Sequence, residues 1–183
     1  MEIYPLTQTQ LGIYFDCLKY PDSTIYNIPC LYRLSAQVDM ERLAKALKKV
    51  VEAHPYLSVF FEKADNGDIV AVKNKAAAIT FPVKNEEPQT DTLIRPFDLL
   101  SKEPLYRFCL FDHEGRKYLF LDTHHIISDG GSISILLEDI NEAYEGNDVA
   151  GETYTGFDAA ADEKKARSSA RYEAAKEIGR AHV

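Results

Sequence analysis

The sequence has few of the features that mark disulfide-stapled, exported or membrane-embedded proteins. Its three cysteines, Cys17, Cys30 and Cys109, are odd in number and widely spaced, and no C-x-x-C pair occurs. This spacing indicates neither a disulfide framework nor a zinc site, and reduced thiols fit a cytoplasmic protein. The chain opens without a basic segment followed by an apolar run, so we expect no signal peptide. No apolar stretch approaches the roughly 18 residues of a membrane span.

An excess of positive charge is also absent. The formal net charge is −8, and every cluster of lysine and arginine lies near acidic residues. Nucleic-acid-binding proteins normally carry a basic face, so we expect no nucleic-acid partner. Hydrophobic residues make up 45% and charged residues 27% of the 183 residues, which is typical of one globular domain with a substantial core.

The first third of the chain predicts two helices around a strand. The first helix runs from about Thr7 to Leu18, and its predicted apolar side consists of Leu11, Ile13, Tyr14, Phe15 and Leu18. The second follows Asp39, a favourable N-cap residue, and ends before Pro55. Its apolar residues recur at helical spacing, and His54 is predicted to be packed at its end. Between the helices, residues 26–35 form a predicted strand in which Pro29 favours an edge position or the first part of the strand.

The middle of the chain predicts two hairpins. Asn66-Gly67 is typical of the tight turn of the first hairpin, and residues 76–84 suggest a further short strand. In the second hairpin, residues 105–111 pair with residues 118–124. Both of these runs are apolar on successive residues, which indicates central strands covered on both faces.

Two more helices complete the predicted elements. One is capped by Ser132 and ends at Gly146, and a polar helix begins near residue 156. Helices and hairpins in this order predict an α/β fold in which a mixed sheet is covered by helices.

The stretch HHIISDG, residues 124–130, concentrates polar residues at the end of the second hairpin. Successive strand residues point to opposite faces, so His124 and His125 cannot have the same role. One of them can face a cleft. Asp129 and Gly130 lie in the turn before the next helix, whose N-terminus offers free N–H groups and partial positive charge. An imidazole beside such a site can serve a reaction in which an oxyanion develops.

Three other interpretations of these residues are open. A single buried histidine is more often a hydrogen-bonded core residue than a catalyst. A metal site is disfavoured because adjacent strand histidines diverge and no further ligand is nearby. A Ser-His-Asp triad would use Ser128 or Ser132, but no G-x-S-x-G segment occurs.

HHIISDG resembles the HHxxxDG motif of condensation domains of non-ribosomal peptide synthetases, which belong with the chloramphenicol acetyltransferase-like acyltransferases. The opening LTQTQLGIYF resembles the family's S-x-A-Q-x-R-L-W block, with Gln10 matching. EAHPYLSVFF resembles R-H-E-x-L-R-T-x-F but has Ala53 and Ser58 at the two arginine positions. RPFDLLSKEPLYRFCLF resembles the R-P-F-D-L…P-L-x-R segment, including Arg95 and Arg107. The four blocks occur in the family's order.

The resemblance implies a chloramphenicol acetyltransferase-like two-layer sandwich, with a mixed, mostly antiparallel sheet and helices packed on it. It also implies that His125 is the active-site histidine. A donor acyl thioester and an acceptor aminoacyl thioester, both carried on the phosphopantetheine arms of carrier proteins, would meet there and form an amide. The domain itself would bind no cofactor and no metal. Whether His125 takes the proton of the amine or orients the amine stays open.

The remaining site residues are expected to be structural. His124 would support the loop, and Gly130 would let the backbone come close to the substrate. Asp129 would pair with an arginine, and Arg95 and Arg107 are the candidates in this chain.

The resemblance covers only the N-terminal half of a condensation domain, assigned to residues 1–178, and residues 179–183 are predicted to be an atypical tail. We therefore expect carrier-protein domains and a C-terminal half as partners, and little activity from this half alone. Self-association through the face that would meet the second half is a further hypothesis. The alternatives are an epimerisation or ester-forming relative with the same motif, and a non-catalytic module that docks carrier proteins.

Overall fold

The computed structural model describes residues 2–73, 79–170 and 172. The strands are β1 (Ile3–Pro5), β2 (Asn27–Arg33), β3 (Phe60–Lys63), β4 (Ile69–Val72), β5 (Val83–Lys84), β6 (Tyr106–His113) and β7 (Arg116–His124). The helices are α1 (Gln8–Lys19), α2 (Met40–Ala53), α3 (Thr90–Leu93), α4 (Gly130–Glu145) and α5 (Gly156–Arg167), and a 3-10 turn spans Pro55–Ser58. The predicted tail, residues 179–183, and part of the strand suggested for residues 76–84 lie outside the described residues.

The larger sheet has the strand order β2-β7-β6-β5, antiparallel except for the β5–β6 pair. The central position predicted for the second hairpin is confirmed. Leu119 and Leu121 of β7 pack into the core formed with α2 and α4, whereas Phe120 packs with Leu93 of α3. The edge position predicted for the strand containing Pro29 is also confirmed, because β7 is the only described strand that pairs with β2. The mixed, mostly antiparallel sheet with helices on it is therefore present.

A smaller sheet with the order β1-β4-β3 lies with α1 and α5 around a second core. The turn between β3 and β4 places Gly67 at a positive φ of 89°, as predicted, but Asn66 has no positive φ and the connection spans residues 64–68. β1 was not predicted, since a strand of three residues is too short to show a periodic pattern. Ile126 is buried in this second core, and Ile127 contacts both cores. The predicted site thus lies where the two cores meet.

Two details of the predicted helices are wrong. On α1, Phe15 is 61% and Leu18 is 57% exposed, whereas Gln10 and Tyr14 are the buried residues. Leu11 and Ile13 of the predicted apolar side are partly buried against the second core, so only Phe15 and Leu18 of that side face outward. The N-cap of α4 is Asp129 and not Ser132, because the Asp129 side chain accepts the bond from the Ser132 N–H.

His54 closes α2 and is buried between two carboxylates, in line with its predicted place at the helix end. Its Nε2 lies 2.7 Å from Oδ2 of Asp139 on α4, and its Nδ1 lies 3.0 Å from Oε1 of Glu152. A neutral imidazole has one N–H and can donate to only one of these oxygens, whereas the protonated ring donates to both. The hydrogen bond to Glu152, with that to Asp139, therefore raises the pKa of His54 against the opposing effect of burial.

We expect the stability contributed by His54 to depend on pH. Its folded-state pKa is raised above the usual value of about 6.5. The contribution is therefore complete below that pH and is lost as the pH rises through the raised pKa. Urea unfolding of the parent and of His54→Gln at a series of pH values measures the difference, which should shrink towards alkaline pH. His113→Gln, at a histidine that bonds neither carboxylate, is the matched control. A difference that stays constant with pH would contradict the assignment.

Candidate active site

The end of β7 separates two adjacent histidines into different environments. His124 is the last residue of the strand, opposite Asn27 of β2, and it is 3% exposed. His125 begins the following turn and is exposed. Its backbone N–H donates to the carbonyl of Tyr26 at 2.8 Å, which continues the alignment with the edge strand for one residue past the sheet. The divergence predicted from strand geometry is therefore what the structure shows.

The His124 ring is fixed in one tautomer by its own loop. Nδ1 accepts a hydrogen bond from the N–H of Ile126 at 3.1 Å, so the proton of the neutral ring is on Nε2. Nε2 faces the sulfur of Cys17 at 3.7 Å, and Phe97 stands edge-on to the ring with centroids 5.7 Å apart. Burial, more than the nearby charges, lowers the pKa of His124 to about 4. A neutral ring locked in this way is suited to holding the loop and not to exchanging protons with a substrate.

The His125 ring is open to solvent. Among the described residues, no side chain forms a hydrogen bond with it, and Asp129 is directed elsewhere. Neither the 360 Å³ cavity beside His124 nor the 210 Å³ cavity beside Ser128 includes His125 in its lining. Within the described residues, the His125 imidazole therefore lies on an open surface, where an external group can approach it.

Asp129 organises the start of α4. Its Oδ1 accepts hydrogen bonds from the N–H and the hydroxyl of Ser132, both at 2.8 Å, and the Ser132 hydroxyl accepts from the N–H of Asp129 at 3.2 Å. The bond from the Ser132 N–H is the main cause that lowers the pKa of Asp129. The predicted pairing with Arg95 or Arg107 is not formed. A Cβ at Gly130 would meet no atom within 4 Å, so the surface beside it is open.

Loss of this cap should be measurable. We expect Asp129→Ala to lower the free energy of unfolding by about 1 kcal/mol, because the first turn of α4 loses its side-chain acceptor. Asp129→Asn keeps an oxygen in place and should cost less. Urea unfolding measures both variants. Equal losses for the two substitutions would show that the charge matters and the cap does not.

Arg107 instead forms a buried ion pair with Asp122. The two residues face each other across β6 and β7, with Nη1 and Oδ2 2.9 Å apart, and their side chains are 13% and 0% exposed. Asn27 donates a further hydrogen bond to Asp122 at 2.8 Å. Burial raises the pKa of Asp122, and the Asn27 and Arg107 bonds oppose this effect.

The same arginine fastens the segment in front of β6. Arg107 donates to the carbonyls of Arg95 and Pro96, both at 2.7 Å, and its guanidinium lies 3.6 Å from the centroid of the Phe97 ring. Phe97 in turn packs on His124. Arg95 contributes its carbonyl here, while its side chain is exposed. Arg107, a predicted partner of Asp129, thus supports His124 of the motif indirectly, through the Phe97 ring.

Sequence reasoning missed Asp122 and the role of Gln10. The signal for Asp122 was a lone carboxylate inside the apolar run that precedes the histidines, opposite an arginine of the partner strand. The sequence indicates Gln10 only as a match to a motif, whereas the structure buries it beside the site.

No metal or membrane feature is found in the part of the chain that the structure describes. It contains no group of three or more histidine, cysteine, aspartate or glutamate side chains placed to hold an ion. Its helices are all too short or too polar to cross a bilayer.

Comparison with known proteins gives a consistent set of similarities. The family model of the Condensation domain matches residues 1–177. The chain is 30% identical to surfactin synthase subunit 1 of Bacillus subtilis (strain 168), over 79% of this chain and 4% of that protein. It is 33% identical to tyrocidine synthase 2 of Brevibacillus parabrevis, over 80% of this chain and 4% of that protein.

Solved structures with the same fold include two condensation domains. The starter condensation domain of rhizomide synthetase RzmA superposes with a TM-score of 0.81 at 19% identity, over 100% of this chain and 48% of that one. The first condensation domain of the calcium-dependent antibiotic synthetase, in complex with a substrate analogue, gives a TM-score of 0.72 at 22% identity, over 94% and 45% of the two chains. The chain therefore spans about half the length of these solved domains and a few per cent of the curated synthases.

Proposed function

Since the chain belongs to the condensation-domain family, we propose that it supplies the histidine-bearing half of a domain that forms amide bonds in non-ribosomal peptide synthesis. The proposed substrates are a donor acyl or peptidyl thioester and an acceptor aminoacyl thioester. Both are carried on phosphopantetheine arms of carrier-protein domains, and the domain binds no cofactor of its own. The single observation that carries the proposal is the exposed imidazole of His125 at the end of a buried strand.

The proposed reaction is an aminolysis of a thioester. The amine nitrogen of the acceptor attacks the donor carbonyl carbon, the new C–N bond forms, and the C–S bond breaks. The ring nitrogen of His125 that carries no proton accepts a hydrogen bond or the proton from the attacking amine. The proton lost by the amine passes to the leaving thiolate, which ends as the thiol. His124 is excluded from this role by its burial and its fixed tautomer.

The supporting residues hold the loop that carries the reacting ring. Asp129 acts as the cap of α4 and not as a partner of His125, since its oxygen is bonded to Ser132. Arg107, with Asp122, holds Phe97 against His124. A fixed loop serves the reaction, because orientation of the reacting groups can contribute as much as proton transfer.

The proposal is tested by a single-turnover assay with a donor-loaded and an acceptor-loaded carrier protein. The assay uses the protein with the remaining half of the domain supplied, because the matched domains are about twice as long as this chain. Mass spectrometry should detect a new amide on the acceptor carrier. Inversion at the α-carbon without a new amide would favour the epimerisation alternative, and an ester product would favour an ester-forming relative.

Four expectations raised by the sequence stay predictions. They are the division of the chain at residue 178, the low activity of this half alone, its self-association, and its cytoplasmic location. The exposed Phe15 and Leu18 on α1 provide apolar surface for self-association. Light scattering across a range of protein concentrations tests it, and a strict monomer would refute it.

A further inference from the structure

One buried amide connects the first helix to the loop that carries the histidines. Gln10 of α1 is 9% exposed. Its Nε2 donates to the carbonyl of Ile126 at 2.9 Å and to the hydroxyl of Tyr56 at 2.6 Å, and its Oε1 accepts from the N–H of Thr7 at 3.0 Å. Both amide hydrogens and the oxygen are therefore used, which leaves the side chain no other orientation with equal bonding.

The hydrogen bond to the Ile126 carbonyl helps to fix the loop beside His125. The peptide before His125 is fixed by the bond from its N–H to Tyr26, and the peptide after it by the bond from the Ile126 N–H to His124. The next carbonyl along, that of Ile126, is bonded by Gln10. Of these three bonds, the one from Gln10 is the only one made by a side chain from outside the loop.

We propose that Gln10 is a positioning residue for His125, acting through the Ile126 carbonyl; this inference rests on the proposed function. Without the Nε2 donor, that buried carbonyl has to rotate towards another partner. The turn and the His125 ring move with it. A displacement of about 1 Å of a reacting group can cost on the order of 10²-fold in rate.

Gln10→Glu removes the two donors while it keeps the shape and the oxygen that accepts from Thr7. We expect turnover at about pH 8 to fall roughly 10–100-fold, with KM within about twofold of the parent. A buried carboxyl group has a raised pKa, and once protonated it can donate to Ile126 again. The ratio of variant to parent turnover should therefore recover as the pH is lowered.

Two variants separate this role from a general structural one. Gln8→Glu adds the same charge to an exposed position of the same helix and should behave as the parent. Tyr56→Phe removes the other acceptor of Gln10 and leaves the Ile126 bond, so its turnover should stay within a few-fold of the parent. Parental turnover of Gln10→Glu, a loss without recovery at low pH, or an equal loss in Tyr56→Phe would each overturn the proposal.

A readout independent of activity separates this proposal from the proposed function. In NMR spectra of the 183-residue chain, Gln10→Glu should shift the ring signals of His125 and the amide signals of residues 125–127 more than Gln8→Glu does. Unshifted signals would overturn the positioning role, even if amide formation is confirmed. Shifted signals in a protein that forms no amide would leave the positional link standing and refute only the catalytic function.

Discussion

Replacement of His125 by alanine is expected to lower the single-turnover rate of amide formation by about 10²–10⁴-fold. The substitution removes the one imidazole that the loop exposes, whether that ring takes the proton of the amine or orients it. Since His125 is at the surface and its ring contacts no described side chain through a hydrogen bond, the fold should be unaffected. Urea unfolding of the variant checks this, and carrier-protein affinity should remain that of the parent.

A second substitution separates the two roles of His125. His125→Gln keeps a side chain that can accept a hydrogen bond from the amine, but it cannot take a proton at neutral pH. Activity well above that of His125→Ala would favour orientation, and equal losses would favour proton transfer. If His125→Ala retained full turnover, the chain would be better described as a module that docks carrier proteins without contributing to the chemistry.

Truncation of Arg107 is expected to have the largest effect on stability. Arg107→Ala should lower the free energy of unfolding by about 3–5 kcal/mol, because it leaves the fully buried carboxylate of Asp122 without its charged partner. It also removes the donors to the carbonyls of Arg95 and Pro96. Small domains are typically stable by about 5–15 kcal/mol, so the variant should unfold at a clearly lower urea concentration.

The matched control is an arginine in an exposed ion pair. Arg116 is 42% exposed and lies 3.0 Å from Glu87, so Arg116→Ala should cost less than about 1 kcal/mol. The double variant Arg107→Met, Asp122→Leu removes both charges and should recover part of the lost stability. If Arg107→Ala lowered the free energy of unfolding no more than Arg116→Ala does, the Arg107–Asp122 pair would not be important for the stability of the sheet.

The sequence by itself determined the elements whose patterns are local. Asp39, the helical spacing of apolar residues and Pro55 define α2, and the two continuous apolar runs define the central hairpin. The alternation of side chains along β7 was enough to predict that His124 and His125 diverge, because a strand has no other way to place neighbouring residues. The four motif blocks indicated the family because their order can be read directly from the sequence.

The tertiary structure decided which residues meet across the fold. The sequence alone does not show that Asp129 caps its own helix while Arg107 pairs with Asp122. Arginines and carboxylates each have several candidate partners along the chain. The sequence could not show which side of α1 faces outward, because apolar residues lie on two sides of this helix. Gln10 and Ile126 are 116 residues apart, and only the packing of α1 against the motif loop brings the amide to that carbonyl. Burial makes such pairings selective, because a polar group removed from water must bond to whichever partner the packing places beside it.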